Sequence, residues 1–257
     1  MPGNFVQLDP VHPSGTACVF EHQGQAGFEI RKDVAWDFLE FTPEMEQLAK
    51  RSKAVIFGSL AQRSSKSRST IQSFVSRVDG YRFYDINLRR NTTDGAAGWS
   101  VQILRESCAL ASVVKMNRDE LEELATVFGL SPSGNFSEEE RMWLQMDRLR
   151  QEYSLVAVVV TRDAKGAFLL SADERLSLPD SIVPQDQVHP VGAGDMFSAG
   201  LLYGMIRGFT LQSSLNLADM LSTWKVHYTS ATPLLSDDIS AAVDRILSEG
   251  RRRDIGG

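Results

Sequence analysis

The stretch Val191-Gly-Ala-Gly-Asp-Met-Phe-Ser-Ala-Gly200 carries the plainest chemistry in this sequence. Its small residues run directly into an amphipathic helical pattern. At a helix start the first backbone N–H groups have no intrahelical acceptor, and the helix dipole favours negative charge there. The N–H groups of Gly192, Ala193 and Gly194 are therefore candidate donors to a phosphate, and the glycines remove Cβ atoms that would block its approach. Asp195 sets a carboxylate beside the same pocket, where it could take a proton from a hydroxyl attacking a terminal phosphorus. The same residue could also simply cap the helix over a tight turn. Two other phosphate motifs are excluded. A dinucleotide fingerprint requires glycine where Phe197 stands and a strand where Pro184 and Pro190 stand, and no Gly-x-x-x-x-Gly-Lys-Ser/Thr run occurs.

Three more groups could bind or orient a ligand. Asp85-x-Asn87-x-Arg89 falls where a strand ends, the place where open α/β sheets present binding groups, although Asp and Asn there also serve ordinary turns. Asn117-x-x-Glu120 ahead of Leu121 reads, taken alone, as a reciprocal capping box. Thr161 and Gly166 could close a hairpin.

The elements that must position these groups follow from periodicity. A hairpin is expected over 15–31 with its turn at Gly24, and Thr42-Pro43 marks an N-cap with proline at N1 of a short helix faced by Met45, Leu48 and Ala49. β-Branched and aromatic runs at Lys53–Gly58, Tyr81–Asn87, Ser112–Asn117 and Leu155–Thr161 alternate with helical stretches at Ser69–Val78, Gly98–Ser107 and Asn117–Phe128. Such alternation favours parallel pairing through helical crossovers, hence an α/β sandwich. A second hairpin-like run at Ala167–Ser171 and a proline-bearing loop at 179–190 lead into helices expected at Asp195–Arg207, Leu211–Tyr228 and Asp237–Glu249. The tail Arg251-Arg-Arg253 reads as a solvated terminus, and the whole reads as one domain, 1–257, with a hairpin appendage.

A chain of 257 residues can bury a substantial core without a disulfide framework. Cys18 and Cys108 both fall in apolar stretches and are expected as free, buried thiols. No apolar run approaches a membrane span and the polar start lacks a signal-peptide core, which predicts a soluble cytoplasmic protein with no membrane partner. The net charge of −6 argues against nucleic acid as a partner, while Arg89-Arg90 could still hold a small anion. Trp36, Trp143 and Trp224 are assigned to packing.

Val191–Gly200 resembles the C-terminal signature of the ribokinase-like (PfkB) carbohydrate kinases, and three further matches fall in that family's chain order. Asp85-x-Asn87-x-Arg89 resembles its D-x-N-x-R strand end, Lys115-x-Asn117-x-x-Glu120 its N-x-x-E element, and Val160-Thr161 with Lys165-Gly166 its T-x-G-x-x-G turn. The resemblance implies a three-layer α/β/α sandwich with a small β-hairpin lid, and an ATP-dependent transfer of the γ-phosphate to a sugar hydroxyl. It implies Asp195 as base, Gly192, Ala193 and Gly194 as anion hole, and Thr161, Asp163 and Gly166 at the nucleotide. Asn117 and Glu120 would organise Mg²⁺ and phosphate without a direct protein ligand cluster, and Asp85, Asn87 and Arg89 would meet sugar or phosphate. His12-Pro-Ser-Gly-Thr16, Val34-Ala-Trp-Asp37 and Phe57–Arg63 look most like bacterial fructokinases, and the hairpin lid of relatives implies a homodimer. Departures carry their own expectations. His189-Pro190 replaces the Asp-Thr that helps relatives hold a monovalent cation, so activation by potassium is not expected. Asp163 replaces a glycine beside the nucleotide, and the opening strands with their sugar-binding Asp and Gly-Gly…Asn element have no counterpart, since the one Gly-Gly pair is Gly256-Gly257. A kinase-fold remnant that binds nucleotide or a partner without transferring phosphate is the alternative.

Overall fold

A computed structural model describes residues 5–22, 25–89, 98–180 and 189–249. The hairpin turn at Gly24, Arg90, most of the proline-bearing loop including Pro184, and the Arg251–Arg253 and Gly256-Gly257 tail lie outside the described residues. The chain divides into two compact units, Met1–Val156 and Ala157–Gly257.

In the first unit, β1 (Ala17–His22) and β2 (Gln25–Ile30) pair antiparallel as a two-stranded sheet of their own. Cys18 on this hairpin is exposed, against the expectation of burial: among the described residues β1 and β2 pair only with each other; Cys108 is buried, and both thiols are free. Helix α1 (Pro43–Arg51) starts as the sequence dictates. Thr42 Oγ1 accepts from Met45 N at 3.3 Å, Pro43 occupies the first turn, and Ala49 faces the core.

Strands β3 (Ala54–Gly58), β4 (Tyr81–Asp85) and β5 (Val113–Asn117) then pair parallel in that order, with α2 (Ser65–Val75) and α3 (Val101–Leu110) in the connections. Strands covered on both faces read as near-continuous apolar runs, and Phe83, Tyr84, Val113, Val114 and Met116 are all fully buried. Tyr84 keeps its hydroxyl satisfied by Ser59 Oγ at 2.5 Å, and Ser59 in turn donates to Ile86 O at 2.9 Å. Helix α4 (Arg118–Phe128) follows β5 and ends on Gly129 at φ 73°, the left-handed stop that lets Leu130 N reach back to Ala125 O at 2.8 Å. Helix α5 (Glu138–Glu152) begins with a Ser137–Glu140 capping box and buries Met142, Met146 and Leu149 on one face.

In the second unit, β6 (Ala157–Thr161), β7 (Ala167–Ser171) and β8 (Arg175–Ser177) form an antiparallel meander. Helices α6 (Ala193–Ile206), α7 (Leu211–Lys225) and α8 (Asp237–Glu249) follow. Glycines let α6 and α7 approach closely: a Cβ on Gly200 would stand 2.9 Å from Ala218 Cα, and one on Gly204 2.5 Å from Ser214 Oγ. Phe197, Leu201, Leu202 and Met205 of α6 are all buried, each contributing about 2 kcal/mol. The amphipathic pattern expected of α6 is correspondingly reduced to a narrow exposed stripe at Asp195, Ala199 and Tyr203. Six strands, three parallel and three antiparallel, with helices between them give the mixed α/β architecture that the alternation predicts. Among the described residues, no helix is long and apolar enough to cross a membrane.

Candidate active site

The ends of β4 and β5 bring five of the expected site residues together in the first unit. Asp85 and Lys115 are cross-strand partners, both buried, and Lys115 Nζ donates to Asp85 Oδ2 at 2.8 Å. Asn117 caps α4 by accepting from Glu120 N at 2.8 Å, and Glu120 returns the bond by accepting from Asn117 N at 2.8 Å. The second carboxylate oxygen of Glu120 accepts from Leu88 N at 2.7 Å. Glu120 therefore ties the start of α4 to the loop that follows β4. Burial pushes its carboxyl above the ordinary range, the Asn117 and Leu88 N–H groups oppose that, and the nearby Asp85 adds to it.

That tie shapes Asn87 and Arg89 on either side of Leu88. Asn87 takes a left-handed backbone at φ 41°, a conformation asparagine tolerates better than most residues. Arg89 is exposed and lines a cavity of about 400 Å³ with Lys32, Asp33, Asp37, Arg63 and Gly98. Two of the fructokinase-like stretches meet here. Arg63 grips Asp37 with both ends of its fork, Nε to Oδ1 at 2.8 Å and Nη2 to Oδ2 at 2.7 Å, and also donates to Arg31 O at 2.6 Å. Burial alone would raise the Asp37 carboxyl, but the guanidinium and the Val34 and Asp33 N–H groups outweigh it and bring it below the ordinary range. Lys115, Asp37 and Arg63 fall in the motif stretches quoted from sequence, but the sequence pairs none of them, because each depends on a partner supplied by a different element.

The second unit supplies the remaining residues. Thr161 ends β6, pairs with Ala167 across the hairpin, and Arg162 N donates to Gly166 O at 2.9 Å, so the hairpin reading of this turn holds. Asp163 is exposed at φ 52°, and Gly166 sits at φ 75° where a Cβ would lie 2.4 Å from Pro179 O and 2.5 Å from Leu178 O. Only glycine fits there.

Gly192 caps α6 at φ 89°, and a Cβ on it would lie 2.4 Å from Ala231 O. The first α6-type bond runs from Met196 N to Gly192 O at 3.0 Å, which leaves the amides of 193, 194 and 195 without intrahelical acceptors. Among the expected donors, Ala193 N–H is engaged: it donates to Pro190 O at 3.0 Å, since the chain turns tightly into the helix. Gly194 O accepts from Ser198 Oγ at 2.9 Å. Asp195 stands at the third helical position, exposed, and its carboxylate makes no hydrogen bond or ion pair among the described residues. A carboxylate so placed is available to a ligand. Among the described residues there is no cluster of three or more His, Cys, Asp or Glu side chains of the kind that cages a metal.

The comparisons with known proteins agree in kind. The model of a family described as pfkB family carbohydrate kinase matches residues 4–238. A sugar kinase of Pyrococcus horikoshii is 27% identical over 230 residues, covering 86% of this chain and 62% of its own. The crystal structure of this uncharacterized sugar kinase superposes with TM-score 0.71 at 21% identity over 93% of this chain and 73% of that one. The ATP-dependent 6-phosphofructokinase of Thermoanaerobacterium thermosaccharolyticum is 25% identical over 206 residues, 77% of this chain and 58% of that protein. A fructokinase from Vibrio cholerae in its fructose-, ADP- and calcium-bound form superposes with TM-score 0.69 at 24% identity, over 93% of this chain and 75% of that one. At these identities the structural likeness carries the fold. The chain spans less than two thirds of the length of the two curated relatives.

Proposed function

The chain belongs to the pfkB family of carbohydrate kinases and has their ribokinase-like α/β fold, and from that premise we propose that it transfers the γ-phosphate of ATP to a sugar hydroxyl, with a fructose-like sugar as first candidate. The observation that carries this reading is Asp195, an exposed carboxylate without a protein partner among the described residues, one turn into a helix whose first amides lack intrahelical acceptors. Asp195 takes the proton from the attacking hydroxyl as the phosphoryl group moves. The amides of Gly192 and Gly194 and the N-terminal dipole of α6 steady the developing charge. Ala193 contributes through its shape, because its N–H is spent on Pro190 O.

Thr161, Asp163 and Gly166 form the turn that borders the nucleotide, and Arg89 meets the sugar or its new phosphate from the cavity below β2. Mg²⁺ fits the donors present only through nucleotide phosphates and water, since both oxygens of Glu120 already accept backbone N–H groups; bound that way it neutralises phosphate charge. The role of Asn117 and Glu120 is then to hold Leu88, and through it Asn87 and Arg89, in place. The β1–β2 hairpin is the contact by which two copies pair, to be checked by sedimentation, and ATP as donor places the work in the cytoplasm.

The test is ADP release over fructose, ribose, fructose 6-phosphate and nucleosides, with Asp195→Asn beside the wild type. Turnover is expected to fall by about two orders of magnitude in the variant with ATP binding retained; unchanged turnover removes Asp195 from the mechanism. The engaged Ala193 amide favours one other reading, a fold that binds nucleotide without transfer, and nucleotide binding with no ADP release on any sugar would establish it.

A further inference from the structure

Lys225, the last residue of α7, is one of the largest fully buried side chains in the protein, at 0% exposure. Its ammonium meets no carboxylate among the described residues. Nζ donates instead to His189 O at 2.7 Å and to Tyr228 O at 3.1 Å. Burying a cation against neutral groups is costly unless something offsets it, and burial indeed pulls this amine below its ordinary pKa. The two bonded carbonyls, of His189 and of Tyr228 just beyond the end of α7, provide the offset.

The position of the two carbonyls shows what the charge accomplishes. His189 is the residue at which the path into the glycine loop begins, and both of its backbone groups are engaged: the carbonyl by Lys225 Nζ, the N–H by Val226 O at 2.7 Å. Three residues on, Gly192 presses against Ala231 O. The loop entering α6 is thus laid along the segment leaving α7, and the ammonium of Lys225 is hydrogen-bonded to both segments. Packing alone would be served by a methionine. Two carbonyl oxygens from separate segments converge on this single positive charge, as they would on part of the shell of a small monovalent cation.

We propose that Lys225 is a positioning residue for the Gly192–Asp195 loop, its ammonium acting as a built-in monovalent cation that holds the His189 and Tyr228 carbonyls, so that the loop draws on no potassium or ammonium ion from solution. The effect on turnover rests on the kinase reading above; the effect on loop order does not.

The experiment compares the whole chain with Lys225→Met and Lys225→Ala in choline, potassium and ammonium chloride at equal ionic strength. The wild type is expected to show the same melting temperature and the same kcat in all three salts. Lys225→Met, which keeps the length and removes the charge, should melt several degrees lower in every salt. Its kcat should fall about tenfold or more with KM for ATP little changed, because misplacing a loop that acts on the transition state costs rate before binding. Lys225→Ala, which leaves room for an ion, should regain melting temperature and kcat in ammonium or potassium and not in choline. A wild type that needs potassium or ammonium, a Lys225→Met variant with unchanged kcat and melting temperature, or a folded Lys225→Ala variant that no cation improves would each overturn the proposal. If no sugar is phosphorylated by any form, the melting temperatures alone still decide it, and rescue of Lys225→Ala by ammonium would then uphold the cation role while rejecting the kinase reading.

Discussion

Replacing Gly192 with alanine should be among the most damaging single-methyl additions in the protein, and the structure supplies its own control. Gly192 sits at φ 89°, and an added Cβ would meet Ala231 O at 2.4 Å and Ala231 C and Cα at 3.1 Å, all backbone atoms that cannot rotate away. Gly208 sits at φ 76°, close to the same backbone conformation, but a Cβ there has nothing within 4 Å. Alanine at either position bears the left-handed backbone cost of about 1–2 kcal/mol. Only at 192 must the chain also separate two segments, adding about 1–3 kcal/mol. Gly192→Ala should therefore lower stability by about 2–5 kcal/mol and Gly208→Ala by about 1–2, which for a domain of this size is roughly 4–20 °C against 2–8 °C in melting temperature. Urea titration followed by far-ultraviolet circular dichroism reads both. Equal losses at the two positions would mean that the loop is not seated on Ala231, and the argument for its close tethering would go with it.

Other consequences are as open to measurement. Asp37→Asn leaves the Arg63 guanidinium largely buried without its carboxylate and should cost about 3 kcal/mol in urea unfolding. Because the folded carboxyl lies below its ordinary range, that contribution is complete above the unfolded value and is lost as pH falls below about 4, so acid should destabilise the wild type more than the variant. Glu120→Ala leaves the Leu88 and Asn117 N–H groups unpaired and should cost about 2–4 kcal/mol, with Glu120→Gln losing roughly half as much at neutral pH. The Glu120 carboxyl is raised, so its stabilising share is complete below the unfolded value and is lost as pH rises through the folded one; the wild type's advantage over Glu120→Gln should accordingly grow on mild acidification. A thiol reagent should modify Cys18 in the folded protein at the rate of a free thiol and leave Cys108, whose thiol burial pushes up to about 12, untouched until denaturant is added.

Much of this was legible from sequence where a local rule decides the structure. The Thr42-Pro43 helix start, the strand at Ala167–Ser171 and the helix at Asp237–Glu249 fall where capping and periodicity put them. A local rule also found the Asn117–Glu120 cap, to which only the family resemblance added a ligand role; the structure shows the cap and adds the bond to Leu88, which no spacing encodes. Helix α5 went unassigned although Ser137 and Glu140 and the Met142, Met146, Leu149 spacing announce it. Other residues were out of reach for a physical reason. Asp37 and Arg63 lie 26 positions apart and acquire meaning only when their elements meet. Nothing local marks Lys225, whose burial depends on the segment entering α6. The exposure of Cys18 follows from what does not cover the hairpin, and a β-rich run in sequence cannot report that.

The Asp85–Lys115 pair bears on how the chain avoids misassembling itself. The two residues are exact cross-strand partners inside a parallel ladder otherwise lined with interchangeable valines and aromatics, side chains that would accept several alignments almost equally well. Sliding β5 by a single position would carry the lysine to the opposite face and strand both charges in the interior. One ionic contact thus serves as a checksum on the alignment of these two strands, rejecting mispaired intermediates that greasy neighbours alone would let pass.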